Sequence, residues 1–205
     1  GTAWFYEPYA DDPRTSGFPL MPFEDYEESI AEAHNLGLKL AIHAIGDQAN
    51  DRLLDILEKL GPFETAPRIE HAQHLSQEAL GRFAEIGVVA SMQPYHAIDD
   101  GRWAINRLGE KRLQGTYAFK SLIDTGATLT FGSDWSVAPL DPIAGIFAAV
   151  TRQTLDGNNP EGWIPDEKFS VVQALEAYTL NNAMAVGREE RLGSIAKGKL
   201  ADFVV

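Results

Sequence analysis

The sequence contains no cysteine, so neither a disulfide nor a thiolate metal ligand is available to it, although this says nothing firm about compartment. It is short of positive charge: 17 lysines and arginines stand against 30 aspartates and glutamates, for a formal net charge of -13. The cations are scattered among the acids, so the basic patch that neutralises phosphates is missing and nucleic-acid binding is not expected. Long hydrophobic runs are also missing. None approaches the roughly 20 residues needed to cross a bilayer, and no basic segment followed by an apolar run opens the chain, so a cytoplasmic protein without membrane contact is the expectation. What remains is 205 residues of which 44% are hydrophobic and 23% charged, the composition of a globular domain with a sizeable core.

Against this background, three residues with metal-ligating chemistry stand at or just beyond the ends of short apolar runs. His43 closes Leu38 to Ile42, His71 closes Arg68 to Glu70, and Asp134 follows the run from Ala127 to Phe131. Such runs read as β-strands. In a parallel α/β barrel the C-terminal strand ends converge on one face, where catalytic groups collect. His43 and His71 are separated by about one strand-helix-strand unit of roughly 30 residues, which would make them neighbours on that rim. A lone histidine near a strand end is usually a packing residue, and an aspartate after Gly-Ser is usually a turn former. The joint pattern favours one site, in which imidazole and carboxylate hold a divalent ion.

Periodicity predicts the rest of the architecture. Residues 1–22, rich in aromatics, proline and glycine, read as a long loop over a site. A helix is predicted from Phe23 to His34, another from Asp47 to Leu60, a third from about Ser76 to Ile86, followed by a strand from Val88 to Met92. Tyr95 to Leu113 reads as a long polar and aromatic connection suited to substrate contact. Helices are predicted at about Gln114 to Asp124, Ile143 to Leu155 and Val171 to Ala185, and the tail from Gly193 carries short strand patterns. Four strand-helix units are thus expected, with strands ending near His43, His71, Met92 and Asp134. A complete barrel has eight units and about 250 residues. The fold class expected is therefore α/β, half of a barrel, with open sheet edges that an upstream segment or another copy of the chain, as in a homo-oligomer, would cover. The opening glycine and the strand-like ending at Val205 agree with a piece of a longer polypeptide.

Five stretches carry a resemblance to a known family: His43-Ala44-Ile45-Gly46-Asp47, Arg68-Ile69-Glu70-His71-Ala72-Gln73, Ser91-Met92-Gln93-Pro94-Tyr95-His96, Gly132-Ser133-Asp134-Trp135, and the tail from Gly193 to Asp202. In order and spacing they resemble the amidohydrolase superfamily, in particular the branch of metal-dependent hydrolases that includes N-substituted formamide deformylases. The resemblance implies a distorted (β/α)8 TIM-type barrel whose fifth, sixth and eighth strands carry His43, His71 and Asp134. Residues 1–190 would then form the C-terminal part of the barrel, and residues 191–205 would be return strands of a small β-sandwich domain. The family's first strand supplies a His-x-His pair and its fourth often a carboxylated lysine bridging two metals; neither is in this sequence, and Gly1-Thr2-Ala3-Trp4 looks like the loop after the fourth strand.

The resemblance further implies one or two divalent ions, zinc foremost, held by His43, His71 and Asp134. Asp134 would also be the catalytic proton shuttle in hydrolysis of a non-peptide carbon-nitrogen bond of a small molecule. His96, Tyr95 and Trp135 are the candidate substrate contacts, although a solvent-exposed loop role for His96 and aromatic packing for the other two carry comparable weight. His74 is expected to order its loop and His34 to be structural. Two competing readings are a catalytically silent fragment or assembly module, and a deaminase or phosphotriesterase-like member of the same superfamily.

Overall fold

The computed structural model describes residues 2–203, so Gly1 of the opening loop and Val204 and Val205 of the strand-like tail lie outside the described residues. Four short strands, β1 (Ala41–Ala44), β2 (Arg68–His71), β3 (Val89–Met92) and β4 (Leu129–Phe131), form one parallel sheet in sequential order. Each crossover is helical, as parallel neighbours require. Helices α1 (Phe23–Asn35), α2 (Asp47–Leu60) and α3 (Gln77–Ile86) precede β1, β2 and β3 in turn.

The register separates the sheet into two chemically different faces. Ile42 lies opposite Ile69, Ala90 opposite Leu129, and Met92 opposite Phe131, and this apolar set packs with Leu54 and Leu57 of α2 and Phe83 of α3 in the main core. His43 lies opposite Glu70, Glu70 opposite Ser91, and Ser91 opposite Thr130, so alternation puts a polar row on the other face. That face corresponds to a barrel interior. Arg68 and Glu70 are paired there at 3.0 Å.

Local signals explain the helix limits. Ser76 accepts a hydrogen bond from the Ala79 amide at the start of α3, and Gly87, at φ 77°, ends it in the left-handed region. Helix α7 (Pro142–Thr151) begins with Asp141 accepting from the Ile143 amide, and α8 (Val171–Tyr178) begins with a reciprocal Ser170–Gln173 capping box.

Several expectations need correction. The connection from Tyr95 to Leu113 is largely helical: α4 (Pro94–Asp100) and α5 (Ala104–Leu108) are followed by a 3-10 segment, Glu110–Gly115. Pro94 fits a first helical turn, and Ala97, Ile98, Ala104 and Leu108 give these short helices a buried side. The helix expected from Gln114 starts only at α6 (Phe119–Asp124), because Tyr117 takes φ 48° and its amide binds the Gln73 carbonyl. The last predicted helix is split at Thr179 into α8 and α9 (Leu180–Ala185). Among the described tail residues 191–203 no strand is formed, and the Leu200 amide binds the Arg191 carbonyl.

Candidate active site

The predicted residues converge beyond the C-terminal ends of the strands. His43 lies in β1, His71 ends β2, His96 lies in the first turns of α4 just after β3, and Asp134 follows β4 by three residues. All four line one cavity of about 390 Å3, together with Tyr95, Asp100 and Trp103. The opening loop also contributes, through Thr2, Ala3, Phe5 and Tyr9, in agreement with its expected place over a site. Trp135, expected as a pocket residue, lies outside the cavity lining and is 69% exposed. Asp134 takes φ 55°, a left-handed turn that departs from the extended path of β4.

His71 owes its place to a similar departure from regular strand geometry. In the pleat, His71 pairs with Ala44, whereas His43 pairs with Glu70 on the opposite face. His71 takes φ 78°, outside the strand region, and its ring comes within 4.5 Å of the His43 ring, centroid to centroid. Non-glycine residues in this region cost about 1–3 kcal/mol, and such strain concentrates at functional sites.

The donor atoms of His71, His96 and Asp134 all lie within 4.8 Å of one another, with His96 Nε2 at 3.9 Å from Asp134 Oδ2. This triplet differs from the sequence-based set in containing His96; His43 stands beside His71 rather than inside the triplet. Partial desolvation, ahead of the neighbouring His71 charge, lowers the pKa of His43 although its residue is exposed at the sheet edge, and burial lowers that of His96. Both histidines are thus biased toward the neutral form that ligates a metal.

A partner the sequence did not reveal fixes His71. Gln93 Nε2 donates to the Ser91 carbonyl at 3.2 Å, so its Oε1 faces His71 Nδ1 at 2.8 Å and accepts from it. The proton is held on Nδ1, leaving the Nε2 lone pair free to bind a cation. His96 Nε2 is buried and has no hydrogen-bond partner among the described residues. Free imidazole nitrogens beside a carboxylate fit a divalent ion of zinc type.

His74 belongs to the frame. It is fully buried with a pKa pushed down to about 3, chiefly by desolvation, and its Nδ1 donates to Thr116 Oγ1 at 3.0 Å. His34 packs edge-on against Phe63. Gln73, Asp100 and Tyr117 form a polar group that sequence reasoning missed: Tyr117 Oη and Gln73 Nε2 donate to Asp100 Oδ2 at 2.7 and 3.0 Å.

Imidazole and carboxylate groups gathered past the C-terminal ends of a parallel sheet define the class of α/β-barrel proteins, which carry their functional groups on that face. The chain belongs to the amidohydrolase family, whose sequence profile matches residues 1–205. It is 41% identical over 209 residues to the protein LONG AFTER FAR-RED 3 of Arabidopsis thaliana, covering 100% of this chain and 36% of that protein. It is 33% identical over 186 residues to the N-substituted formamide deformylase of Arthrobacter pascens, covering 88% of this chain and 34% of the relative. Among solved structures, an uncharacterized metal-dependent hydrolase from Pyrococcus horikoshii superposes with a TM-score of 0.88 at 36% identity, over 98% of this chain and 40% of that one. The chain thus spans at most about two fifths of these relatives' lengths. No helix of the described residues is long and apolar enough to cross a membrane.

Proposed function

We propose that this protein hydrolyses a carbon-nitrogen bond of amide type, outside peptide bonds, in a small molecule, at a metal centre formed by His43, His71 and Asp134. The observation that carries this reading is that donor atoms of His71 and Asp134 lie within 4.8 Å of each other in the cavity, with the His43 ring against His71. Similarity to a protein named for N-substituted formamides supports the bond class. A bound zinc-type ion would supply Lewis acidity, lowering the pKa of a water to about 7 and polarising a carbonyl.

The chain's own residues do the rest. His71, oriented by Gln93, and His43 donate nitrogen lone pairs and so cannot serve as bases. Asp134 takes a proton from the attacking water and delivers it to the leaving nitrogen; a carbon-oxygen bond forms, the carbon-nitrogen bond breaks, and the products are an acid and an amine. His96, close to Asp134, faces the substrate carbonyl, and Tyr95 lines the same cavity. Completion of the centre by residues of another polypeptide segment or chain forms part of the proposal, because β1 has an unpaired outer edge among the described residues.

The test is amine release from a panel of N-substituted formamides and N-acyl amines by the metal-loaded protein. Asp134→Asn is expected to lower turnover by at least about 10²-fold, the lower range for loss of acid-base catalysis, with unchanged circular dichroism. Turnover retained in that variant overturns the role of Asp134. No metal-dependent release from any substrate overturns the proposed activity and favours a silent module.

A further inference from the structure

We propose that Asp100 is a recognition residue for a protonated nitrogen of the substrate, an ammonium or amidinium group held about one helical turn from the bond that is cleaved. The inference rests on the reading that the cavity beyond the strand ends is the active cavity, and it deepens that reading by naming a substrate class.

Helix α4 carries His96 and Asp100 four residues apart, and therefore on one side of the helix. At 1.5 Å per residue they are about 6 Å apart along its axis. Both line the same cavity. His96 meets Asp134 at the proposed metal centre, while Asp100 lies one turn further along the helix.

The Asp100 carboxylate is held firmly but incompletely satisfied. Both of its donors, Tyr117 Oη and Gln73 Nε2, bind the same oxygen, Oδ2. Oδ1 has no hydrogen-bond partner among the described residues. Tyr117 is fully buried and Gln73 nearly so, which fixes the carboxylate from behind.

Among the described residues no cation lies within ion-pair distance of it, and Arg102 acts on it only at longer range. Arg102 is committed to Asp99, and Arg107, which lines the cavity, is paired with Asp11 at 2.8 Å. Desolvation raises the pKa of Asp100. A fixed, partly desolvated carboxylate with one free oxygen favours a ligand that brings both positive charge and N–H donors. The Trp103 and Tyr95 rings, also in the cavity wall, favour a cation or a flat group within it. A cavity of about 390 Å3 admits a small molecule that reaches both ends.

The experiment compares benzylamine, cationic at neutral pH, with benzyl alcohol, of nearly the same shape, by equilibrium binding to chelator-treated protein. Metal removal prevents the amine from ligating an ion and makes the result independent of the metal proposal, which stands or falls on its own elemental analysis. Wild-type protein is expected to bind the amine about tenfold or more tightly than the alcohol, the scale of one charge-assisted hydrogen bond. Asp100→Asn, which keeps the shape and can still accept from Tyr117, is expected to abolish that preference while leaving alcohol binding unchanged. Two further carboxylates line the cavity: Asp99 is paired with Arg102, and Asp134→Asn, which removes the unpaired one, is expected to retain the preference. Equal binding of the two probes to wild-type protein overturns the proposal, as does a preference that survives in Asp100→Asn or disappears only in Asp134→Asn. Should Asp100→Asn fail to fold, the wild-type comparison and the Asp134→Asn variant still decide.

Discussion

At the scale of single residues, the site works by constraining which atoms are free. Gln93 is a clear case, because its own hydrogen bond to Ser91 forces its Oε1 toward His71 Nδ1. Gln93→Leu removes that acceptor, and metal affinity is expected to fall by about 10–100-fold in a competition titration. Unchanged affinity would show that the ring is oriented by other contacts. His74 has the opposite assignment, a buried neutral ring donating to Thr116. Its folded pKa of about 3 lies below the ordinary value of 6.5, so its stabilising effect is complete above pH 6.5 and is lost as pH falls toward 3. Within that window it costs about 1.4 kcal/mol of stability per pH unit. His74→Asn retains a donor for Thr116 and removes the titration. Denaturant unfolding at several pH values is expected to give a shallower acid loss in the variant than in wild type; parallel curves would contradict the assignment.

At the scale of elements, the first strand end was legible because the run Leu40-Ala41-Ile42 changes chemistry abruptly at His43, and the second because His71 follows it at the spacing of one strand-helix-strand unit. The stretch after β3 was not, since α4 and α5 are too short to display a helical period. The hydrogen-bond partners were equally hidden: Gln93 and Gln73 stand in quoted motifs, yet nothing in a linear pattern shows that one meets His71 and the other Asp100. His96 was singled out as a substrate contact, but its approach to Asp134 depends on the turn where α4 begins. Packing between α7 and α8 gives a further check. A Cβ added at Gly145 of α7 would meet Tyr178 Oη at 1.8 Å. Alanine favours a helix interior by about 1 kcal/mol over glycine, yet Gly145→Ala is expected to lower the melting temperature, because the close approach must open. A raised melting temperature would mean that Tyr178 moves aside at no cost.

At the scale of the whole molecule, the two edges of the sheet are treated differently. Asn181 and Asn182 of α9 donate to the Leu129 and Phe131 carbonyls of β4 at 2.9 and 3.0 Å, occupying backbone acceptors that another strand would use. At the other edge, Ala41 and His43 of β1 are exposed, and nearby Leu38 is 60% exposed. The sheet is nevertheless curved enough for Lys39, just before β1, to donate to the Val186 carbonyl after α9 at 2.9 Å. The half-barrel architecture was therefore readable from alternating strands and helices, whereas side-chain protection of one edge was not. A metal bound by His43, His71 and Asp134 would join β1, β2 and the loop after β4. At a free concentration about 100 times its dissociation constant, such an ion adds about 2.7 kcal/mol to stability, so zinc loading is expected to raise the melting temperature. An unchanged melting temperature in a protein that retains the ion would contradict selective binding to the folded state.

Elemental analysis by plasma mass spectrometry of the folded protein and its single variants decides whether this metal centre exists. About one or more zinc-type ions per chain are expected, with loss of metal in His71→Ala, reduced content in His43→Ala, and retained metal in His96→Ala. A folded protein without stoichiometric metal, or metal content unchanged in both His43→Ala and His71→Ala, would contradict it.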